Sequence, residues 1–142
     1  MKVRIRIMST QTGADGQPMR TRNDYEGSCC REGGSFVSVY RESTDGGEEI
    51  RTRMEIGQGS LILERRGAFS SRMVFREGED HAFLYETPFG ALPMTLHTDR
   101  AETERTRKSI HVKVAYTLDM DASERTSCMI RIRIDALEGF VI

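Results

Sequence analysis

The feature that most constrains this chain is a regular alternation of apolar and polar residues, repeated along almost its whole length. Between Ser109 and Met120 nearly every second residue is apolar, and mostly polar residues fill the gaps. A period of two is the pattern of a β-strand with one buried face and one solvated face. No segment shows the apolar stripe of an amphipathic helix. The sequence therefore predicts an all-β protein.

Ten segments carry this alternation, and turn-forming strings such as Gly33-Gly34 and Asp45-Gly46-Gly47 separate them. Glycine supplies the positive φ that tight hairpins require. The connections are too short for a parallel crossover, which takes about a dozen residues or more. The segments are therefore predicted to be antiparallel neighbours. They are Lys2–Ser9, Met19–Glu26, Ser35–Ser43, Glu49–Ile56, Ser60–Arg66, Arg72–Glu77, His81–Thr87, Ala91–Thr98, Ser109–Met120 and Thr126–Leu137.

The stretch Asp99–Lys108 is ambiguous, because its run of charged and small residues also suits a single helical turn. No apolar stripe would hold such a helix against the sheet. We therefore expect Asp99–Lys108 to continue a strand and to end in a charged turn.

The apolar residues of these strands form one face of a sheet that no predicted helix covers. Such a face is buried when the sheet closes into a barrel or folds into a sandwich. Short hairpins between successive strands favour an antiparallel up-and-down β-barrel of about 8–10 strands, a single domain over residues 1–142. A repeated Arg-x-Arg pattern is expected on the solvated outer face. Its members are Arg4/Arg6, Arg20/Arg22, Arg51/Arg53 and Arg131/Arg133.

Composition excludes several classes of protein. No apolar run approaches the length of about 20 residues that spans a membrane, and the alternating start of the chain is unlike a secretory signal. With 21 basic and 22 acidic residues the net charge is -1, which argues against a broad nucleic-acid surface. Of the basic residues 18 are arginine, which pairs well with carboxylates across strands.

The three cysteines indicate free thiols. Cys29 and Cys30 are adjacent, so their side chains point to opposite faces of an extended strand and cannot both serve one bridge. The third is Cys128, and no Cys-x-x-Cys spacing suggests zinc. We therefore expect reduced cysteines and a cytoplasmic location.

Several short strings stand out along the chain, and the most specific is Tyr85-Glu86-Thr87-Pro88-Phe89-Gly90. The others are Glu26-Gly27, Tyr40-Arg41-Glu42, Leu63-Glu64-Arg65-Arg66-Gly67, Met73-Val74-Phe75, Thr98 and Tyr116-Thr117-Leu118. In order and spacing these strings resemble the YwiB-like family of uncharacterised bacterial proteins, over nearly the whole chain. The resemblance implies a calycin-like, lipocalin-type barrel. It implies no activity, cofactor or catalytic residue.

The loop around Pro88 is the best-marked candidate for a binding region. Proline and glycine at these positions are typical of a tight turn, which is a sufficient structural explanation. At the rim of a barrel the same loop would place Tyr85 and Phe89 beside the opening. Together with Tyr40 and with the inward-facing Leu96 and Tyr116, they are the predicted contacts of a small apolar ligand.

No metal site is predicted from the three histidines. By alternation His97 and His111 should point outward, whereas His81 shares the parity of the inward residues of its strand. Three separate strands would have to bring the rings together, and geometry rather than number makes a metal site.

No catalytic set or cofactor is predicted either. The carboxylates Glu26, Glu42 and Glu86 could serve as acid and base, but pairing with surface arginines is the simpler explanation. No nucleophile elbow occurs, and no glycine-rich phosphate loop leads into a helix. The sequence therefore favours a protein that is not an enzyme.

Two functions from different classes remain open. The first is a non-enzymatic cytoplasmic protein that holds a small, mostly apolar molecule inside the barrel or at its mouth. The second is an interaction module whose arginine-rich outer face binds an anionic partner such as RNA or an acidic protein. An aromatic content of 7% disfavours stacking on nucleic-acid bases. A monomer and a homodimer are both compatible with either function.

Overall fold

The chain folds as one antiparallel sheet of ten strands in a computed structural model, which describes residues 1–121, 124–137, 139 and 142. The strands are β1 (Lys2–Thr12), β2 (Pro18–Glu32), β3 (Ser35–Ser43), β4 (Glu49–Gly57), β5 (Ser60–Gly67), β6 (Ser71–Arg76), β7 (Asp80–Thr87), β8 (Gly90–Arg105), β9 (Ser109–Asp121) and β10 (Glu124–Ala136). Within the described residues there is no helix that could cross a membrane.

The strand order is that of an up-and-down barrel, which confirms the predicted architecture. Along the sheet the order is β6-β5-β4-β3-β2-β1-β10-β9-β8-β7. The first and last strands therefore meet, and their ladder runs without interruption from Val3↔Ala136 to Thr12↔Ser127. Among the ladders of the described residues, none joins β6 to β7. The barrel is thus nearly closed, with a seam between these two strands.

Two strands extend further than the alternation indicates. The predicted ends of β1 and β2 are Ser9 and Glu26, and each strand continues beyond that residue. In β2 the pattern is lost at Gly27, yet the backbone there pairs with β1 on one side and β3 on the other. Backbone pairing does not need an alternating side-chain pattern, so the sequence underestimates these lengths.

The expectation for Asp99–Lys108 is confirmed. Strand β8 continues to Arg105, and Thr106 begins the turn to β9 with a hydrogen bond from its amide to the carbonyl oxygen of Ser109 (2.9 Å). The ladder between β8 and β9 shifts register between Thr98 and Arg100, which leaves Asp99 as an extra residue. Such a bulge increases the local twist of a strand and helps a sheet to curve.

The inner faces of the strands form the hydrophobic core. Phe75 packs edge-on against Tyr116, with 4.9 Å between ring centroids. Removal of this apolar surface from water is the main driving force for such a fold. The largest fully buried apolar side chains are Phe75, Ile5, Met54, Ile56, Leu61, Leu96, Ile110, Ile134, Val3 and Val114.

Gly27 allows β2 and β3 to approach closely. A Cβ atom at residue 27 would lie 2.3 Å from the carbonyl oxygen of Val39 and 3.1 Å from Cβ of Tyr40. The first distance is far inside van der Waals contact, so residue 27 has to be glycine in this arrangement. This requirement explains why the alternation is interrupted at this point of β2.

The three cysteines are free thiols, in agreement with the sequence. Cys29 and Cys128 are buried, and their burial raises the pKa of both thiols. Cys30 is exposed on the opposite face of β2. A buried thiol with a raised pKa is a poor nucleophile, because the thiolate is the reactive form.

Substitution of a core valine tests the direction of the alternation. Val114 is fully buried, so Val114→Asp places a carboxyl group without a partner in the core. We expect a loss of about 3 kcal/mol or more in the free energy of unfolding. The neighbouring change Lys113→Asp lies on the other face and should cost about 0.5 kcal/mol. Urea unfolding measures both; equal losses would show that the two faces are assigned wrongly.

Thiol labelling tests the placement of the cysteines. Cys30 should react rapidly with 5,5′-dithiobis(2-nitrobenzoate) in the native protein, whereas Cys29 and Cys128 should react only after unfolding. The variant Cys30→Ser should lose the rapid phase. A reducing agent should leave the melting temperature unchanged, since a lost disulfide typically costs about 2–5 kcal/mol. Rapid labelling that survives in Cys30→Ser would contradict this placement.

Candidate functional site

A groove of about 1330 Å³ lies along the seam between β6 and β7. At one end of the seam Ser70 and Glu86 exchange two backbone hydrogen bonds of 2.9 and 2.8 Å. At the other end the turn between β6 and β7 is bonded to β8, since the amide of Gly78 donates to the carbonyl oxygen of Thr98 (2.8 Å). The seam is therefore fixed at both ends, and the groove lies between them.

Apolar side chains of the β7–β8 hairpin form part of the groove. Phe83 and Leu84 come from β7 and Met94 from β8. Phe83 packs partly against the core, whereas Leu84 is 52% exposed. Exposure of a large apolar side chain beside a hollow is typical of a ligand-binding surface.

Charged side chains of β5 and β6 line the groove as well, and they are held by ion pairs. Glu64 lies 2.8 Å from the guanidinium of Arg66 and 3.6 Å from that of Arg72. Near the β9–β10 turn Asp119 pairs with Arg125 at 3.0 Å. Since each of these carboxylates already has an arginine partner, the charges of the groove are largely balanced.

His81 connects the two sides of the seam. Its Nε2 atom lies 3.1 Å from the carbonyl oxygen of Arg72, so the ring of a β7 residue donates a hydrogen bond to the backbone of β6. The ring is also nearly parallel to that of Phe83, with 6.1 Å between centroids. A side-chain hydrogen bond thus stands where a backbone ladder would otherwise join the strands.

A polar cluster inside the barrel reaches the groove through Arg65. The guanidinium of Arg65 forms a hydrogen-bonded ion pair with Glu42, and Tyr25 donates its hydroxyl to the other carboxylate oxygen of Glu42 (2.8 Å). The side chains of Arg65 and Glu42 are only 30% and 19% exposed. Arg65 also lines the groove, and a guanidinium has five N–H donors, more than the pair with Glu42 uses.

Burial keeps the tyrosines of this cluster protonated. The rings of Tyr25 and Tyr40 stack with 4.3 Å between centroids. Burial, together with the adjacent Glu42 carboxylate, raises the pKa of Tyr25 above its usual range. Burial likewise raises the pKa of Tyr40. At neutral pH Tyr25 therefore acts as a hydrogen-bond donor that orients Glu42.

The cluster of Tyr25, Glu42 and Arg65 was not predicted as a unit, although the sequence contains a signal for it. On β5 the inward positions Leu61 and Leu63 are followed two residues later by Arg65. Alternation therefore places an arginine on the inner face, where a charge needs a partner. On β3 the inward Tyr40 is likewise followed two residues later by Glu42, which therefore lies on the inner face as well.

Three of the five predicted ligand contacts belong to the core. Leu96 is 0%, Tyr116 5% and Tyr40 7% exposed. Of these, Tyr40 contacts the polar cluster through its stack on Tyr25. A bulky replacement of Leu96 would overpack the core, so a probe of the groove has to use other positions.

The other two predicted contacts lie near the tip of the β7–β8 hairpin. Tyr85 is half-buried and stacks on Phe69, with 6.0 Å between ring centroids. Phe89 is fully exposed in the turn. The structure thus brings Tyr85 and Phe89 to the same hairpin, but it does not bring them together with Leu96 and Tyr116. Their role as ligand contacts remains a prediction.

The histidines lie apart from one another. His97 is exposed, with Nδ1 2.5 Å from a carboxylate oxygen of Asp80, and His111 is exposed on β9. In the part of the chain that the structure describes, no group of three or more His, Cys, Asp and Glu side chains is arranged to hold a metal ion.

Comparison with known proteins adds the family. Residues 5–132 match the model of a domain of unknown function, DUF1934. The chain belongs to the DUF1934 family. The crystal structure of the ywiB protein from Bacillus subtilis is similar to the DUF1934 barrel described above, with a TM-score of 0.79 and 18% sequence identity. The match covers 92% of this chain and 89% of that one, and it confirms both the YwiB-like resemblance and the calycin-like fold. No curated protein matches the chain.

Removal of one partner from the polar cluster should destabilise the protein, because it leaves the other charge half-buried and unpaired. Glu42→Gln removes the counter-charge of the half-buried Arg65, and we expect a loss of about 1–3 kcal/mol in the free energy of unfolding. The change should also lower the pKa of Tyr25, because the Glu42 carboxylate contributes to raising it. Urea unfolding and an ultraviolet titration of tyrosine at alkaline pH measure the two effects.

Glu49→Gln is the matched control for this prediction. Glu49 pairs with Arg41 at 3.3 Å on the outer face, where both side chains are exposed. Exposed ion pairs contribute little to stability, so the loss in the free energy of unfolding should not exceed about 0.5 kcal/mol. Similar losses for the two variants would show that the Glu42 pair is no more than a surface interaction.

Proposed function

We propose that the protein is a non-enzymatic binding protein that holds a small, mostly apolar molecule in the groove along the β6–β7 seam. The observation that carries this proposal is the groove itself, which lies where the barrel wall lacks a backbone ladder. Ligand sites in proteins typically have volumes of about 300–1,000 Å³. A hollow of about 1330 Å³ is large enough for such a molecule.

The chemistry of the walls supports an apolar ligand with a polar end. Phe83, Leu84 and Met94 offer apolar contacts, and Met is suited to irregular or adaptable packing. Arg65 supplies oriented N–H donors from the inner end of the groove, because Glu42 and Tyr25 hold it in place. Binding sites commonly combine a mostly apolar lining with a few fixed polar groups.

The core favours the seam over the centre of the barrel as the binding site. Phe75, Leu96 and Ile110 are each 0% exposed and pack in one cluster with the other inward residues. A ligand at that position would have to displace well-packed side chains, which costs free energy. The seam is therefore preferred over the interior of the barrel, and it is an opening in the wall rather than the mouth, which was the other location considered from the sequence.

An interaction module that binds RNA or an acidic protein through the arginines is the alternative. Many outer-face arginines are paired with a carboxylate, as in Arg6 with Asp24 and Arg133 with Asp135, both at 2.9 Å. The Arg6 guanidinium lowers the pKa of Asp24, as expected for a carboxylate that stays charged beside it. Such pairing disfavours a broad anion-binding face, so the groove is the better-supported site.

A reducing compartment, and hence the cytoplasm, forms part of the proposal. Cys29, Cys30 and Cys128 are all unpaired. Proteins of oxidising compartments tend to form disulfides, whereas free thiols persist where glutathione keeps them reduced.

A tryptophan in the groove should block ligand binding. Ala82 is exposed on the outer face of β7 and lines the groove, so Ala82→Trp fills part of it without changing the core. The wild-type protein should bind 8-anilinonaphthalene-1-sulfonate at one saturable site. In Ala82→Trp the affinity should fall about tenfold, equivalent to about 1.4 kcal/mol. Fluorescence titration measures both affinities.

The matched control is Ala115→Trp, on the outer face of β9. Ala115 pairs with Arg100 of β8 and Met129 of β10, and none of these three residues lines the groove. Its dye affinity should equal that of the wild type. If the native protein binds no dye, or if both variants bind as well as the wild type, the groove is not a ligand site and the proposal fails.

A further inference from the structure

Three arginines face one another on the outer surface of β3, β4 and β5. Arg41 lies directly opposite Arg51, and Arg51 lies directly opposite Arg66. All three side chains are exposed. Directly opposite residues share a face of the sheet, with Cβ atoms about 4.5–5.5 Å apart. These residues, the arginine row, therefore present three guanidinium groups side by side.

Without a bound anion, the arginine row is expected to lower the stability of the fold. Like charges directly opposite each other destabilise a sheet. At the next outward position of β4 and β5, Arg53 faces Glu64 instead. Arg6 also faces Arg133 across β1 and β10, but each of these two arginines has a carboxylate partner at 2.9 Å, Asp24 and Asp135. A bound anion would turn this local repulsion into attraction.

The centre of the row has no neutralising partner. Arg41 pairs with Glu49 at 3.3 Å, and Arg66 pairs with Glu64 at 2.8 Å. Within the described residues Arg51 makes no ion pair, although it lies between the other two arginines. An anion placed at Arg51 would contact an unpaired guanidinium that has a further guanidinium on either side.

A trough of about 620 Å³ runs over this part of the sheet. Four arginines, namely the arginine row and Arg53, line it together with two carboxylates, Glu26 and Glu64, and with Ser28 and Val39. Guanidinium groups bind phosphate through paired N–H donors, which gives both strength and geometric selectivity. The trough is a local hollow, and Val39, which is 40% exposed, offers apolar contact beside the charges.

We propose that the arginine row binds the phosphate group of a small molecule. A small ligand fits the confined trough better than a nucleic acid does, because the chain has a net charge of -1 and only 7% aromatic residues. The proposed phosphate site is independent of the proposed ligand site in the seam groove, because it rests on a different hollow. The two hollows adjoin, however, since Glu64 and Arg66 line both of them.

The test uses inorganic pyrophosphate as the probe, with sodium chloride added to keep the ionic strength constant. Calorimetric titration of the wild-type protein should show one saturable site. Arg51→Gln should weaken binding about tenfold, and without pyrophosphate its melting temperature should equal or exceed that of the wild type, since repulsion is removed. Pyrophosphate should raise the melting temperature of the wild type more than that of the variant.

Arg133→Gln is the matched control, because it changes the net charge equally on a distant strand, β10. Its pyrophosphate affinity should stay within twofold of the wild type. Absence of saturable binding would overturn the proposal, as would an equal loss in the two variants or a lower melting temperature of Arg51→Gln without pyrophosphate. Binding of a single-stranded RNA but not of pyrophosphate would overturn it in favour of a nucleic-acid partner.

Discussion

Pairing between the first and the last strand is the interaction on which the rest of the structure depends. The β1–β10 ladder joins residues that are far apart in sequence, and it brings Val3 and Ile5 beside the inward isoleucines of β10. Without it, two sheets would each leave an apolar face in water. Because this ladder places β1 and β10 in the middle of the strand order, the two edge strands are β6 and β7, on the opposite side of the barrel from the ladder. The groove is therefore a direct result of where the ladder closes the sheet.

The barrel has a different chemistry in different parts of its interior. Phe75, Met54 and Ile110 are fully buried and make a dry core, whereas Tyr25, Glu42 and Arg65 form a hydrogen-bonded polar cluster. A buried ion pair contributes little to stability after desolvation, but it fixes the position of the groups that form it. The scaffold thus separates the apolar residues that hold the fold from the polar residues that are fixed beside the groove.

The sequence predicts the barrel well because alternation is a local property of a half-buried strand. The apolar series around Val114 marks the buried face of the sheet, and the Arg-x-Arg pairs mark the solvated face. Short turns make successive strands neighbours, which determines the strand order. The groove could not be predicted, because it depends on a missing ladder between β6 and β7, and the residues of both strands still alternate. Leu96 and Tyr116 are predicted as ligand contacts because they face inward. Inward orientation alone does not distinguish a side chain of a packed core from one that lines a cavity. The inward Arg65 could have been predicted by extending the parity of β5.

The seam between β6 and β7 has a consequence for motion. Opening a continuous barrel between two strands would break a whole row of backbone hydrogen bonds. Between the two fixed ends of this seam, a hydrogen bond from the His81 ring joins β7 to β6 in place of such a row. Local opening here breaks few hydrogen bonds, whereas opening the β1–β10 wall would break an uninterrupted ladder of them. The amides at the free edges should accordingly exchange with solvent through small fluctuations. A molecule held in the seam could enter and leave on the timescale of these fluctuations, without unfolding of the barrel.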